Sequence, residues 1–354
     1  MKPIHRVGRS AQSARLPKST DRKPPIWERN RKEKRKSRIV RAVFLLIFLV
    51  ILVNIAIRAP AIYRTLSRSF ERFPGDQEKL SSFDTSFRTN LLLVSYEKEA
   101  GLDDLAVVSY EPINKRLTVL FFDLVKNKKL QIMADHYFEK EGIAGLRQFI
   151  SLQMAVPLDR YLAFEGSDLT FTTENVLGSY KEIKSTSFFF KAPTLKQDLN
   201  KILKTDLSTT EILTLVWKIR GAKFEEKDNI FLNKIGSGGF GSQETNEAIG
   251  SLFIDRAISE EAAAVTIQNS SGQSGLGTEI ANYLNNLGAT VVSVESGEEP
   301  SKKNILYVKK SKPYFEKRLA SIIPFEKKKA NSQNFSGDML IIVGEEAAGM
   351  LTLP

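Results

Sequence analysis

Alternation and helical periodicity divide the chain into blocks, and the first block is an uninterrupted apolar run. It reads AVFLLIFLVILVNIAI from Ala42 to Ile57, with no charge and one amide at Asn54. Ile39, Val40 and Ala59 extend it towards the roughly 20 residues a spanning helix needs, Arg41 and Arg58 stand where they can snorkel, and Pro60 offers an exit. Residues 42–60 are therefore predicted to be a transmembrane helix. A cleaved secretory signal is the rival reading, because Ala59-Pro60-Ala61 has small-x-small spacing, but the charged stretch before the run is far longer than a usual signal peptide's. From Ile62 to Phe73 aromatics and Arg recur at helical spacing until Pro74-Gly75-Asp76, which predicts a juxtamembrane helix and linker over 61–85.

Strand signals follow at Thr89–Tyr96, Leu105–Glu111 and Arg116–Leu124, the last two joined through Pro112 and Asn114 as a hairpin. Helical periodicity then marks Gly142–Met154, a strand marks Arg160–Glu165, and further helices are expected around Leu169–Leu177, Thr194–Lys204 and Thr209–Gly221. Alternating strands and helices over about 145 residues predict an α/β domain at 86–234 that is large enough to bury its own core. Periodicity fails at IGSGGFGSQETNE, Ile235 to Glu247, so 235–261 is expected to be a linker. Within it Gly236, Gly238 and Gly241 match G-x-G-x-x-G formally, without the strand-loop-helix context that a nucleotide loop requires. Residues 262–354 show a second pattern: strand Ala263–Gln268, a helix Leu276–Leu287 closed by Gly288, strand Thr290–Val294, strand Asn304–Lys310, helix Tyr314–Ile323 and a last strand from Asp338. The order β-α-β-β-α-β predicts a small α/β sandwich.

Charge changes the picture, because a net +11 would ordinarily suggest a nucleic-acid partner. Residues 1–41 hold 15 of the 52 Lys/Arg and 3 of the 41 Asp/Glu, leaving 37 basic and 38 acidic residues for the rest. The excess is therefore confined to a tail that ends against the apolar run, as in a positive-inside flank. The expectation is a basic cytoplasmic tail at 1–41 able to contact anionic lipid, a single-pass anchor in the cell membrane, an extracytoplasmic body, and no nucleic-acid partner. Cysteine is absent, which removes disulfides and thiolate chemistry. The two histidines, His5 and His136, exclude paired-histidine zinc sites, and His136 reads as a half-exposed helical residue rather than a catalytic one.

The segment from Val265 to Ser296 resembles the opening of the LytR C-terminal domain, a strand, Asn-Gly-(Ser/Thr)-x-x-x-Gly-Leu-Ala, and a helix. Asn269, Gly275 and Leu276 match, while Ser270 replaces the first Gly and Gly277 the Ala. In envelope proteins that domain often follows a LytR-CpsA-Psr domain, and residues 86–234 are similar to it in framework, with Tyr161, Phe164, Leu177 and Gly178 at matching positions and Ser179 in place of a second Gly. The resemblance implies transfer of a glycopolymer from polyprenyl pyrophosphate to peptidoglycan by Asp-held magnesium and Arg clamps.

This chain departs from that pattern where the chemistry lies. The motif Arg-Ser-Asp-Thr is replaced by Leu102-Asp103-Asp104-Leu105, and Ser-Ile-Pro-Arg-Asp by Phe121-Phe122-Asp123-Leu124-Val125, while Phe188-Phe189-Phe190-Lys191 stands near the place of a late Arg-x-Arg cluster. Asp104 is the candidate catalytic residue, Asp103, Asp104 and Asp123 are candidate metal ligands, and Arg88, Arg116 and Arg147 are candidate phosphate binders, with Lys126 a further available cation. The sequence reading is a degenerate LytR-CpsA-Psr-like envelope protein that binds a polyprenyl-linked glycan or peptidoglycan, or acts as a scaffold, with no cofactor expected. The alternative is an active phosphotransferase, for which Mg2+ would be required.

Overall fold

In the computed structural model the described residues are 69–73, 83–97, 101–166, 170–185, 187–231, 243–330 and 334–351. The basic tail, the expected span 42–60 and the glycine-rich stretch 235–241 lie outside them. Among the described residues no helix is long and apolar enough to cross a membrane.

Two mixed sheets organise an α/β body. The first holds β1 (Thr89–Glu97), β2 (Gly101–Glu111), β3 (Arg116–Phe122), β4 (Arg160–Glu165), β5 (Leu203–Thr205) and β6 (Asn229–Phe231) in the order β5-β4-β1-β2-β3-β6. β1, β2 and β3 are antiparallel neighbours, whereas β4 and β6 run parallel to β1 and β3. The middle strands are apolar at nearly every position because both faces are covered. Leu92, Val94, Leu105, Val107, Leu120 and Phe122 point to one side with α1 (Lys128–Met154). Ala106, Tyr110, Leu117, Val119 and Phe121 point to the other, against Tyr180 of α2 (Thr173–Lys184), while Leu91 meets Leu215 of α4 (Thr209–Arg220). Helix α3 (Phe188–Ile202) leads into β5.

Helix α1 starts fourteen residues earlier than its periodicity predicts, because Asn127 caps it by accepting from the Leu130 amide at 3.1 Å. The break that separates the helix-like stretch around His136 from Gly142–Met154 is Gly142 itself, at φ 68, which kinks the helix and shifts its apolar stripe. Helix α4 carries a reciprocal capping box between Ser208 and Glu211.

The second sheet has the order β10-β9-β11-β7-β8, with β7 (Ala264–Asn269), β8 (Thr290–Ser296), β9 (Ile305–Val308), β10 (Glu326–Lys329) and β11 (Met339–Val343). All its pairings are parallel except β9 with β11. Helices α7 (Leu276–Leu287), α8 (Pro313–Ile322) and α9 (Glu345–Leu351) complete it, and Leu276, Ile280, Leu284, Leu287, Phe315 and Leu319 fill its core. Strand β10 reads Glu-Lys-Lys-Lys and has no strand pattern. Pairing with β9 recruits it to an edge, where charge discourages further strand addition.

Two expectations are corrected by the fold. Residues 69–73, assigned to a juxtamembrane helix, are extended: Glu71 bridges to Lys204, and the Thr205 amide donates to the Glu71 carbonyl at 2.9 Å. Phe70 is buried there, and its neighbour Phe73 packs on Tyr96, Phe138 and Tyr161, so burial overrides a helical spacing too short to form alone. Residues 243–261, read as linker, form α5 (Gln243–Phe253) and α6 (Arg256–Glu261). Ile249 and Phe253 enter the core of the first sheet and Ile258 that of the second, so the segment joins the two. Gly288 ends α7 at φ 104, where a Cβ would come within 2.9 Å of the Asp255 carbonyl, and only glycine allows that approach.

Candidate functional site

The strand register decides which candidate residues meet. Ser95 of β1 pairs with Asp104 of β2, and Leu105 pairs with Phe122 of β3, so Asp104 and Asp123 share the end of the sheet where β1 and β3 finish. Asp103 occupies the register shift beside Asp104, a bulge that turns its side chain out to solvent. Asp135 of α1 reaches the same end and accepts from the Leu102 amide at 3.0 Å. The sheet thus has an acidic end.

Three of the four carboxylates there, Asp104, Asp123 and Asp135, are already engaged. Asp104 accepts from the Leu105 amide at 2.9 Å and the Phe171 amide at 2.7 Å, one bond to each oxygen. Burial nevertheless holds its pKa above the usual value, with Asp123 and Asp103 adding repulsion. Burial also raises Asp103, helped by Glu97 and Asp135, and raises Asp135, helped by Glu139. Asp123 goes the other way, because the Lys126 ammonium bonds it at 2.6 Å. Among the described residues no three His, Cys, Asp or Glu side chains gather as a group that could hold a metal ion. Among the described residues the arrangement does not fit a magnesium site, since Asp103 points out of the bulge and Asp104 and Asp123 are held by other partners.

None of the three arginines is brought to Asp104, and two of them, Arg88 and Arg116, share the opposite end of the sheet. Arg88 precedes β1, seven residues from Ser95, which is about 23 Å along a strand. It is buried, and its guanidinium donates to Ser109 Oγ at 2.8 Å, to the Ile254 carbonyl at 2.6 Å and to the Leu252 carbonyl, so it caps the C-terminal end of α5. Burial lowers its pKa to about 10. Arg116 opens β3 opposite Glu111, at the same far end, and binds Asp228 through Nε at 2.9 Å and Nη2 at 2.5 Å. Arg147 of α1 pairs with Asp206 at 3.0 Å, and Asp206 also accepts from the Tyr161 amide beside Leu92, short of the acidic end. Lys126 is the one sequence candidate among the cations that stands at that end. His136 lies exposed on α1 beside the Tyr137 ring.

Two constellations went unseen in the sequence. At the edge of the acidic end, Phe73, Tyr96, Phe138 and Tyr161 form an aromatic cluster. Lys204 lies 5.1 Å above Phe73 and 5.8 Å above Tyr96, and pairs with Glu165 at 3.5 Å. Tyr96 and Tyr161 at strand positions were the only signal for it. Between the sheets, Arg318 forks onto Asp159 at 2.7 and 3.2 Å, and the Tyr314 hydroxyl and Arg88 amide both donate to Asp255. Nothing in the sequence pattern marks residues so far apart as partners.

These surroundings separate the carboxylates by titration. The Lys317 ammonium lowers Asp84 from 3.8 to about 2. Its stabilising contribution is therefore complete above the unfolded value and lost as pH falls from about 4 towards 2, and solvent exposure keeps it small. Asp104 has the opposite sign: its raised pKa destabilises the fold above the folded value, and that penalty fades as pH falls through it. Side-chain carboxyl NMR should show Asp84 titrating near 2, moving up in Lys317→Met, and Asp104 titrating above the ordinary 3.8.

Residues 262–346 match the family model described as LytR cell envelope-related transcriptional attenuator. No curated protein matches the chain. Among solved structures it is similar to Bacillus subtilis TagV, at 14% identity and TM-score 0.35 over 48% of this chain and 97% of that one. It is also similar to the LytR-CPS2A-psr family protein YwtF (TagT), solved with bound octaprenyl pyrophosphate lipid, at 15% identity and TM-score 0.31 over 51% of this chain and 97% of that one. A third is the Enterococcus faecalis transcriptional regulator EF0465, at 11% identity and TM-score 0.32 over 47% and 87%. Likeness at this level transfers no residue and no ligand. The family match agrees with the motif at Asn269, Gly275 and Leu276, and with it the chain is shown to carry a LytR C-terminal domain at residues 262–346.

Proposed function

We propose that this chain is a single-pass membrane protein with a cytoplasmic tail at 1–41, an anchor at 42–60 and an extracytoplasmic body, in which a LytR-CpsA-Psr-like domain at 86–234 binds a polyprenyl-linked glycan or peptidoglycan without transferring it. One observation carries the non-catalytic part. The end of the sheet that gathers Asp103, Asp104, Asp123 and Asp135 receives none of the three candidate arginines, each of which is tied to carbonyls or a carboxylate elsewhere. A pyrophosphate carries several negative charges and is held by Arg forks or a metal. Asp104 has neither beside it, and the one candidate cation at this end, Lys126, is paired with Asp123, so a pyrophosphate finds no clamp there and any lipid-linked ligand is recognised through its glycan or its chain.

The test is to purify the full chain in mild detergent, extract its lipids and identify them by mass spectrometry. Enrichment of a polyprenyl-linked saccharide over bulk phospholipid is the expected result. Phospholipid alone, at bulk composition, would leave a scaffold in place of a binder.

A further inference from the structure

The loop after β3 and the first turns of α1 expose two large apolar side chains where the sheet ends. Val125 is 79% exposed and Ile132 is 68% exposed, although Leu124 and Leu130 between and beside them are buried. Lys126, Lys128 and Lys129 lie between them in the chain and are likewise exposed. Three of the carboxylates at this end are turned to other work, since Asp123 pairs with Lys126, Asp135 accepts from the Leu102 amide, and Asp104 from those of Leu105 and Phe171, while Asp103 stays in solvent at the β1–β2 bulge. The corner therefore presents two apolar tips interleaved along the chain with three exposed ammonium groups, the composition of surfaces that enter the headgroup layer of a bilayer.

Chain geometry points the same way. Residues 69–73 run parallel to β5, which is antiparallel to β4, so the chain reaches this body at the end where β1, β3 and β4 finish. Val125 follows β3 at that same end, five strand spacings away, or about 24 Å across the sheet. Eight residues lie between Pro60 and Ser69, a tether of at most about 31 Å over nine Cα steps. An anchor at 42–60 would hold this end of the sheet, and not the hairpin at Ile113, within reach of the bilayer surface.

We infer that the corner Val125–Ile132 docks on an anionic lipid surface, with Val125 and Ile132 entering the headgroup layer and Lys126, Lys128 and Lys129 meeting lipid phosphates. The inference rests on the anchor proposed above. The absence of cysteine makes the test direct, since Val125→Cys introduces a single thiol for an environment-sensitive fluorophore. The full chain is reconstituted into vesicles of phosphatidylcholine with phosphatidylglycerol, and Ile113→Cys, 46% exposed at the far end of the sheet, is the control.

The Val125→Cys label should emit at shorter wavelength and be dimmed by a headgroup-level lipid quencher, while the Ile113→Cys label stays in water. Lys128→Gln with Lys129→Gln should lower the docked-to-free ratio about fivefold per lysine, and pure phosphatidylcholine should do at least as much. Equal signals from the two labels in a chain that resists alkaline extraction would overturn the docking and leave the anchor intact. Release of the chain by alkaline extraction would overturn the anchor and the docking together.

Discussion

Purified protein offered a polyprenyl-pyrophosphate oligosaccharide, magnesium and a peptidoglycan acceptor should show transfer no faster than background. Phosphoryl transfer is driven almost wholly by positioning and by charge placed where charge develops. Losing one such donor typically costs 10²–10³ in rate, so a site that lacks two or more should fall by about 10⁴ or beyond. Rescue would require an Arg or Lys to approach Asp104. Arg88 and Arg116 would have to cross about 23 Å of strand and abandon the α5 carbonyls and Asp228, Arg147 would have to leave Asp206, and Lys126, already at that end, would have to leave Asp123. Magnesium-dependent transfer that disappears in Asp104→Ala would sink the binding reading and establish the phosphotransferase in its place. Lipid binding that survives Asp104→Ala, with no transfer in either protein, is the outcome the acidic end leads us to expect.

Asp159→Asn should destabilise the body by about 3–5 kcal/mol, a drop in Tm of roughly 10 °C. The Asp159 and Arg318 side chains are only 16% and 4% exposed, and Asp159 Oδ2 also accepts from the Asn90 amide at 2.8 Å. Removing the carboxylate leaves a guanidinium buried without its counter-charge, which costs more than the pair itself contributes. Arg318 Nε is buried without a partner even now, so the pair is imperfectly satisfied. Asp159→Leu with Arg318→Met should therefore recover most of the loss. Because the pair joins β4's leading loop to α8, the single variant should also split thermal unfolding into two transitions, one per sheet. Calorimetry checks both points, and a single variant within about 1 kcal/mol of the parent would show that the contact is not formed in solution.

The strands at 89–97, 116–122 and 160–165, and the second strand from Leu105 on, were legible because period-two and all-apolar patterns report burial on one or both faces directly, whereas its first stretch of pairing, 101–104, was not. The same holds for α7, where apolar spacing and Gly288 mark both face and end. Local pattern failed where the partner was distant. Strand β10 has four charged residues, Phe73 sits on an aromatic cluster built from three other elements, and α5 and α6 fill two cores from within a stretch that looked polar.

The candidate site divides in the same way. Sequence alone determined that Leu102 and Leu124 stand where the resembled motifs carry Arg, with Asp104 keeping the first motif's Asp, because identity at a motif position is a local fact. It also determined the LytR C-terminal motif at Asn269, Gly275 and Leu276. Whether Arg88, Arg116 and Arg147 could reach those carboxylates is a question of register and distance. Only the tertiary structure decided it, by pairing Ser95 with Asp104 and Glu111 with Arg116, which sets the acidic residues and two of the arginines at opposite ends of one sheet. Hydrogen-bond register is fixed by contacts between strands remote in sequence, and so it is written in no single segment of the chain.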